Sequence, residues 1–380
     1  MKLFLIVCLL GIFSLGLVMV FETSSAEVLD KSLSCGTHRM LFKQLTYAFM
    51  GLFFGFLIWK IGYEDVLRIS PLFFWFFVVL LGVVFIPNVG IARNGARRWI
   101  GVGSFTIQPS EFMKYLVPMM YIEKITSRSS DAISFFFFLK LLVILFIPIF
   151  LITVEPDNGT AAVICSSLVP LFFVNRIKLR FWLLPLSLVF LLGGAMAYNL
   201  PYVRGRVHVY LHPELDIKGK GHQPYQAKIA AGSGKIFGKG PGASLQKLTY
   251  LPEAQNDYIV AIYAEEFGFI GVLCLILLYM FFIYSGFAIA DRASSVRGAC
   301  LATAITFLVS FQAFLNFAVV SGLLPSKGVN LPFFSQGGSS LVANIWGVFL
   351  LLKVYCYEKK GNYFSRWDSR TYKTGSRNCR

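Results

Sequence analysis

Long runs of uncharged, apolar residues recur from one end of this sequence to the other, and they restrict its possible folds more than any other feature. A helix needs about 20 apolar residues to cross a bilayer, and backbone groups in lipid must be hydrogen-bonded within the segment. Hydrophobic residues make up 56% of the 380 residues and charged ones only 14%, which excludes a soluble globular enzyme. We predict ten membrane-spanning helices, nine clear and one weak (108–122), over residues 3–21, 44–59, 70–92, 108–122, 132–154, 158–175, 181–203, 267–290, 298–326 and 328–352.

The fold class predicted is therefore an all-α polytopic membrane protein. We predict a single transmembrane domain over residues 1–357, a large extracytoplasmic loop at about 204–257 between helices 7 and 8, and a basic cytoplasmic tail at 358–380. The first run could also be a signal peptide, because Ser24, Ser25 and Ala26 follow it. Its 19 apolar residues exceed the usual length of such a region, which favours a retained span.

The seven cysteines and four histidines show no spacing typical of a zinc site or a disulfide framework. His208 and His212 are four residues apart, but no third ligand accompanies them. We therefore predict no protein metal site. Gly234 to Gly240 resembles a phosphate-binding loop but lacks its spacing, and Gly51 with Gly55 is more typical of helix packing than of a partner site.

The distribution of basic residues predicts the orientation in the membrane. Loops that follow odd-numbered spans lie on one side, and they carry 7 Lys and Arg when the long loop 204–257 is set aside, against 17 on the opposite side. Short cytoplasmic loops are enriched in Lys and Arg. We therefore predict that both termini are cytoplasmic and that the loops after odd spans are extracytoplasmic.

Arg93, Arg97 and Arg98 go against this bias, because they lie in a short loop on the outer side. For the basic residues of 204–257 two explanations stay open, since a loop of this length can be translocated regardless of charge but could equally bind an anion. The first explanation does not cover the short arginine cluster. An anionic ligand at the outer face, such as a lipid phosphate or pyrophosphate, would account for the short arginine cluster.

Four polar clusters fall on this predicted outer side, at 95–114, 155–160, 204–257 and 322–340. In the first, we expect Ser110 to cap a helix that starts near Glu111. Glu111 and Lys114 then enter the membrane, where ionisable residues are costly and often functional. Their spacing of three also allows a purely structural ion pair. Both interpretations stay open.

Two aspartates stand at predicted helix starts. Asp157, in the turn 155–160, is a candidate catalytic residue or simply the cap of the returning helix. Asp257 ends the long polar loop directly before an apolar segment. Partial desolvation there would raise its pKa toward the working range of a general base, whereas the alternative is again a helix cap.

The ordered polar motifs resemble those of the SEDS family of shape, elongation, division and sporulation proteins. The matching stretches are GARRW (95–99), QPSEFMK (108–114), EPDNGT (155–160), YQ (225–226), LPEAQNDYI (251–259), EEFG (265–268) and LLPSKGVNLPFFSQGGSS (323–340). The first two and the LPEA form look closer to the division-type FtsW branch than to RodA. The resemblance covers nearly the whole chain from the third predicted helix onward.

The resemblance implies a ten-helix protein of the bacterial cytoplasmic membrane that polymerises lipid II into glycan strands by inverting transfer, releasing undecaprenyl pyrophosphate. It implies a class B penicillin-binding protein transpeptidase and other division or elongation proteins as partners, with no nucleic acid. The family's catalytic aspartate corresponds to Asp257. Here Gln255 and Asn256 replace a His-Thr pair before it, and Ser326 and Lys327 replace a Val-Thr pair.

On this hypothesis Asp257 is the catalytic base, and cations meet the charge of the pyrophosphate. Candidate substrate-binding residues are Arg98, Lys114 and Arg204, followed by Arg97, Lys239, Glu111 and Gln108. Secondary candidates are Asp157, Glu253, Ser335 and Ser339. A divalent cation, Mg²⁺ or Mn²⁺, could share the task, although the sequence shows no dedicated ligand set.

Two alternatives from other functional classes remain. A lipid II flippase would use the same anionic ligand but needs polar residues along a path through the membrane. The predicted spans after residue 132 carry few charged residues, namely Lys140, Glu265, Glu266 and Lys353. A non-catalytic scaffold for a penicillin-binding protein would leave the outer carboxylates dispensable.

Overall fold

The computed structural model describes residues 2–31, 38–87, 89–93, 96–102, 105–128, 133–185, 187, 205, 210, 222–247, 256–325 and 328–375. The helices are α1 (Lys2–Lys31), α2 (Arg39–Ile61), α3 (Tyr63–Val84), α4 (Pro109–Thr126), α5 (Phe135–Val154), α6 (Asn158–Val174), α7 (His222–Ser233), α8 (Ile259–Asp291), α9 (Val296–Val320) and α10 (Gly338–Gly375). The strands are β1 (Gly90–Arg93), β2 (Ala96–Val102) and β3 (Phe105–Ile107).

Within the described residues, seven helices are long and apolar enough to cross a membrane: α1, α2, α3, α5, α8, α9 and α10. The apolar α6 is shorter, and α4 is a buried helix that carries charged side chains. Large apolar side chains such as Phe136 (81% exposed) and Leu72 (72%) lie on the outside of the bundle, as expected where lipid rather than water surrounds a protein. The polytopic all-α prediction is confirmed.

Nine of the ten predicted spans correspond to these helices. The other one, 181–203, is helical over 181–185 and otherwise lies almost wholly outside the described residues. The same holds for much of the predicted loop 204–257, in which the structure describes α7 and the turns of 234–247. The backbone of α10 stays helical to Gly375, so most of the predicted tail continues the last helix.

The predicted third span, 70–92, is wrong at both ends. The helix starts at Tyr63, because Glu64 and Asp65 in its first turn favour a helix N-terminus, and it ends at Val84. Residues 90–107 form instead an antiparallel sheet in the order β1-β2-β3, with Gly90 opposite Ile100 and Ile100 opposite Ile107. This sheet carries Arg97 and Arg98 and leads directly into α4, and it was not predicted from the sequence.

The predicted eighth and tenth spans start at the wrong residues. Helix α8 begins at Ile259 and kinks at Gly268, whose φ of +66° suits glycine. A Cβ there would clash with the backbone nitrogen of Gly238, because the loop after α7 packs against the kink. Helix α10 begins at Gly338, because residues 328–337 form turns whose apolar side chains are buried.

Small residues let neighbouring helices approach closely. A Cβ at Gly51 would lie 2.7 Å from Ile345, and one at Gly55 would lie within 3 Å of the ring of Phe349. The predicted packing role of these two glycines is confirmed, since they seat α2 against α10. Helix α1 also belongs to the bundle, where its Gly16 lies against the backbone of Phe334.

Candidate functional site

The four polar clusters meet at one end of the bundle, where the Tyr210 hydroxyl of the long loop donates to the Leu323 backbone oxygen at 2.6 Å. The backbone N–H of Gln108, which follows the sheet, donates to the Ser339 hydroxyl at 3.0 Å. The Arg98 side chain reaches across to the turn between α5 and α6. These contacts bring together loops that follow predicted odd-numbered spans. This agrees with the prediction that those loops lie on one side of the membrane.

Arg98 holds the turn between α5 and α6. Its Nε donates to the backbone oxygen of Glu155 at 3.0 Å and its Nη2 to that of Pro156 at 2.5 Å. A guanidinium group has five N–H donors, so further hydrogen bonds to an anion are compatible with these two. Arg97, the preceding residue of β2, is exposed, since successive side chains of a strand point to opposite faces.

Asp157 is buried at the start of α6. Its Oδ1 accepts from the backbone N–H of Thr160 at 3.3 Å, which confirms the helix-cap interpretation. Its Oδ2 also accepts from Gln108 Nε2 at 3.2 Å and from the Ser110 hydroxyl at 3.4 Å. Helix α4 begins at Pro109 with Gln108 as its cap residue, so the prediction that Ser110 caps it is wrong. Burial raises the pKa of Asp157, and the charge of Arg98 opposes this shift.

Glu155, which the sequence analysis did not single out, is 1% exposed. Neither carboxylate oxygen has a hydrogen-bond partner. Burial and then the charge of Asp157 raise the pKa of Glu155 to about 8, although Arg98 lowers it in part. The signal in the sequence was a second acid two residues before the capping aspartate.

We expect the free energy of unfolding to fall as the pH rises from 4.5 to about 8, because of Glu155. The pKa of Glu155 is above its ordinary value of 4.5, so the folded state binds more protons than the unfolded state between pH 4.5 and about 8. Stability is therefore lost as pH rises across that window. The loss from Glu155 between about pH 6 and pH 9 should be roughly 2–3 kcal/mol.

Thermal unfolding in detergent, followed across this pH range, measures the effect. The variant Glu155→Gln should unfold at a melting temperature that depends less on pH than that of the wild type. Asp65→Asn removes a carboxylate that is 58% exposed and serves as the matched control, with the wild-type pH dependence. Equal pH dependence of Glu155→Gln and the wild type would contradict the prediction.

Glu111 and Lys114 form a buried ion pair, with Lys114 Nζ 2.5 Å from Glu111 Oε2. This confirms the pairing that their spacing allowed. Lys114 Nζ also donates to Gln312 Oε1 at 3.0 Å, and Gln312 Nε2 donates to the backbone oxygen of Asn330 at 2.8 Å. The pair is thereby connected through α9 to the turns before α10.

Asp257 is half-buried directly before α8. The structure places Tyr258, not Asp257, at the cap position of that helix, so the helix-cap interpretation of Asp257 is wrong. Asn316 Nδ2 donates to the backbone oxygens of Asp257 at 3.0 Å and Val329 at 2.8 Å. A Cβ at Gly328 would lie 3.5 Å from Asp257 Oδ2. The carboxylate therefore faces the turn-rich segment 328–337.

Lys239, in the loop that follows α7, forms an ion pair with α8. Its Nζ lies 2.6 Å from Glu265 Oε1 in α8, so a buried carboxylate already balances its charge. Lys247 pairs in the same way with Glu266 at 2.7 Å and with Glu22 of α1 at 3.6 Å. The sequence suggested Lys239 as a pyrophosphate ligand, but in the structure it fastens the loop after α7 to α8.

The two serine candidates make structural hydrogen bonds. The Ser335 hydroxyl accepts from the backbone N–H of Leu331 at 2.8 Å, and that of Ser339 also donates to the Thr106 backbone oxygen at 3.2 Å. Both contacts fix the turns before α10. Arg204 and Glu253 lie outside the described residues, as do His208 and His212.

The amides Gln312 and Asn316 of α9 link the site, and they were not predicted from the sequence because neither carries a charge. Gln312 and Asn316 are four residues apart and lie on one helix face. That spacing in an otherwise apolar helix was the available signal. In the described part of the chain, no group of three or more His, Cys, Asp or Glu residues is placed to hold a metal ion.

The sequence also matches a known protein family. Residues 1–360 match the sequence model of the cell cycle proteins FtsW, RodA and SpoVE. This chain belongs to that family. The family resemblance found in the sequence is thereby confirmed.

Relatives within the FtsW/RodA/SpoVE family match over most of their length. Stage V sporulation protein E of Bacillus subtilis is 36% identical, over 94% of this chain and 97% of its own. A probable peptidoglycan glycosyltransferase FtsW of Thioalkalivibrio sulfidiphilus is 37% identical, over 91% and 87%.

Solved structures show the same fold. A chain of a peptidoglycan synthase complex that coordinates polymerization and crosslinking superposes with a TM-score of 0.75 at 24% identity, over 93% of this chain and 97% of its own. RodA of Thermus thermophilus gives a TM-score of 0.66 at 23% identity, over 92% and 95%.

Proposed function

We propose that this protein is a peptidoglycan glycosyltransferase that polymerises lipid II into glycan strands. The observation that carries the proposal is the position of Asp257, half-buried at the polar end of the bundle and connected through Asn316 to the turns at 328–330. Membership of a family whose FtsW relatives are named probable peptidoglycan glycosyltransferases supports it.

In the proposed reaction, Asp257 accepts the proton of the 4-hydroxyl group of the acceptor sugar. The hydroxyl oxygen forms a bond to the anomeric carbon of the donor, and the bond from that carbon to the pyrophosphate oxygen breaks. A single displacement inverts the anomeric configuration. A carboxylate that is partly withdrawn from water is suited to the role of general base. The leaving group is undecaprenyl pyrophosphate.

Arginines at the same end are proposed to bind the pyrophosphate. Arg98 lies beside the turn between α5 and α6, Arg97 is exposed on the adjacent position of β2, and Arg204 stays a prediction from the sequence. Arginine suits phosphate oxygens because it donates two parallel hydrogen bonds. Lys114 is 2% exposed and paired with Glu111, so we assign this pair to positioning α4 and α9 rather than to direct contact. Gln108 is assigned the same positioning role through Asp157.

We also propose that a divalent cation, Mg²⁺ or Mn²⁺, binds to the pyrophosphate oxygens of the substrate. Such ions commonly take substrate phosphates together with one or two carboxylates as ligands. Its chemistry would be to neutralise charge on the leaving group.

The protein is proposed to lie in the bacterial cytoplasmic membrane, with both termini cytoplasmic and the candidate site on the extracytoplasmic face. The excess of Lys and Arg on the side that holds both termini and the loops after even-numbered spans supports this orientation. It places Asp257 where a lipid-linked sugar that has crossed the membrane would be used.

A class B penicillin-binding protein transpeptidase is the proposed partner, together with other division or elongation proteins and no nucleic acid. The support is the fold shared with a chain of a synthase complex that couples polymerization to crosslinking. A partner that crosslinks the new strands would work on the same face of the membrane as Asp257.

Purified protein supplied with fluorescent lipid II tests the function. We expect long glycan polymer on a gel from the protein alone or with its partner transpeptidase, and none from the transpeptidase alone. Movement of lipid II across a vesicle membrane without polymer would contradict the proposal in favour of a flippase. Binding of the transpeptidase with neither activity would contradict it in favour of a scaffold.

A further inference from the structure

A lateral groove of about 480 Å³ lies between α1, α2 and α10. Ala48, Leu341 and Phe333 line one end, while Lys2 and Trp59 line the other. Apart from Lys2, the side chains along it are apolar. The groove therefore fits a hydrocarbon chain rather than a polar solute.

The length of the groove corresponds to one leaflet of a bilayer. On α2 it extends from Ala48 to Trp59, which are eleven positions apart, or about 16 Å at the helical rise. The hydrocarbon core of a membrane is about 30 Å thick. The Ala48 end lies toward the candidate site, because the neighbouring Tyr47 hydroxyl donates to the Thr106 backbone oxygen of the sheet. The Lys2 end therefore lies in the opposite leaflet.

Three lysines surround the Trp59 end. Lys2 Nζ and Lys353 Nζ lie 5.4 and 5.3 Å from the centre of the same Trp59 ring, and Lys60 Nζ lies 5.0 Å from the ring of Phe56, which also lines the groove. Among the described side chains, no carboxylate forms a salt bridge with any of the three. Like charges gathered without an acid favour the binding of an anion.

We propose that this groove binds an anionic phospholipid, with one acyl chain between α1, α2 and α10 and the phosphate at the three lysines. Charge complementarity and a length of one leaflet identify the occupant. Basic pockets between transmembrane helices bind anionic headgroups in this way, and tryptophan is favoured at the membrane interface. The site is separate from the candidate active site, which lies at the other end of the bundle.

Thermal unfolding of the full-length protein in neutral detergent, titrated with phosphatidylglycerol or phosphatidylcholine, tests the proposal. Phosphatidylglycerol should raise the melting temperature at lower mole fraction than phosphatidylcholine. The variant Lys2→Gln/Lys353→Gln should weaken the apparent affinity for phosphatidylglycerol about 25-fold, or about fivefold per lysine. Lys178→Gln is the matched control, because Lys178 follows α6 at the same end of the bundle and lies 6.0 Å from the Phe181 ring. It should retain wild-type affinity.

Two further variants distinguish a loss of headgroup binding from a loss of folding. Lys353 also donates to the Trp59 backbone oxygen at 2.6 Å, so the double variant could fold poorly. Lys60→Gln, at an exposed position, should still weaken affinity about fivefold, and Lys2→Arg/Lys353→Arg should restore it.

Three results would overturn the proposal. They are wild-type affinity in the lysine-to-glutamine variants, equal binding of phosphatidylcholine, and an equal shift produced by inorganic phosphate alone. The last would show a site for free phosphate instead of a lipid headgroup.

Discussion

Replacing Asp257 by asparagine should lower the rate of lipid II polymerisation by about 10²–10⁴-fold, the usual contribution of a general base. Asparagine keeps the size of the side chain and removes its ability to accept the proton of the attacking hydroxyl. The backbone oxygen of Asp257 that binds Asn316 is unaffected by this change. The fold at the start of α8 should therefore persist while the chemistry is lost. The measurement is the initial rate of glycan formation from fluorescent lipid II.

Two controls make the loss specific. The Asp257→Asn protein should still bind the partner transpeptidase, and its melting temperature is measured alongside so that a loss of folding is not taken for a loss of chemistry. Asp65→Asn removes one exposed acid from α3 and should polymerise at the wild-type rate. Polymer formed by Asp257→Asn at the wild-type rate would show that another group takes the proton.

Topological parity was the most informative argument from the sequence, because hydropathy fixes which loops share a face. It placed the polar clusters on one side, and the structure joins three of them through Arg98, Gln108 and Ser339. Asp257 became a candidate for a different, local reason, because its carboxylate lies at the border between a polar loop and an apolar helix.

Features that depend on distant partners could not be predicted in this way. The sheet of residues 90–107 was missed because its charged and glycine residues look like a loop until strand pairing satisfies the backbone. Lys239 looked like a free outer cation because its partner Glu265 is 26 residues away and buried in α8. The start of α10 was misplaced because residues 328–337 are apolar enough for a span but are buried as turns.

The second large effect is expected at the buried ion pair of α4. Lys114→Met should lower the free energy of unfolding by about 3–5 kcal/mol, because it leaves the Glu111 carboxylate buried without its partner. Replacing both members, as Glu111→Gln with Lys114→Met, should cost much less than the sum of the two single changes, since no uncompensated charge then remains. Chemical unfolding of the four proteins in detergent gives the coupling energy.

The surface pair of Arg68 and Asp65 provides the matched control, since it has the same spacing and an N–O distance of 3.0 Å. Its side chains are 66% and 58% exposed, so Arg68→Met should cost no more than about 1 kcal/mol. If Lys114→Met lowers the free energy of unfolding as little as Arg68→Met does, the Glu111–Lys114 pair is not what holds α4 in place. The polar connection through Gln312 to Asn330 would then need another explanation. A large coupling energy would instead show that the charges entering the bundle on α4 stabilise the helices that support Asp257.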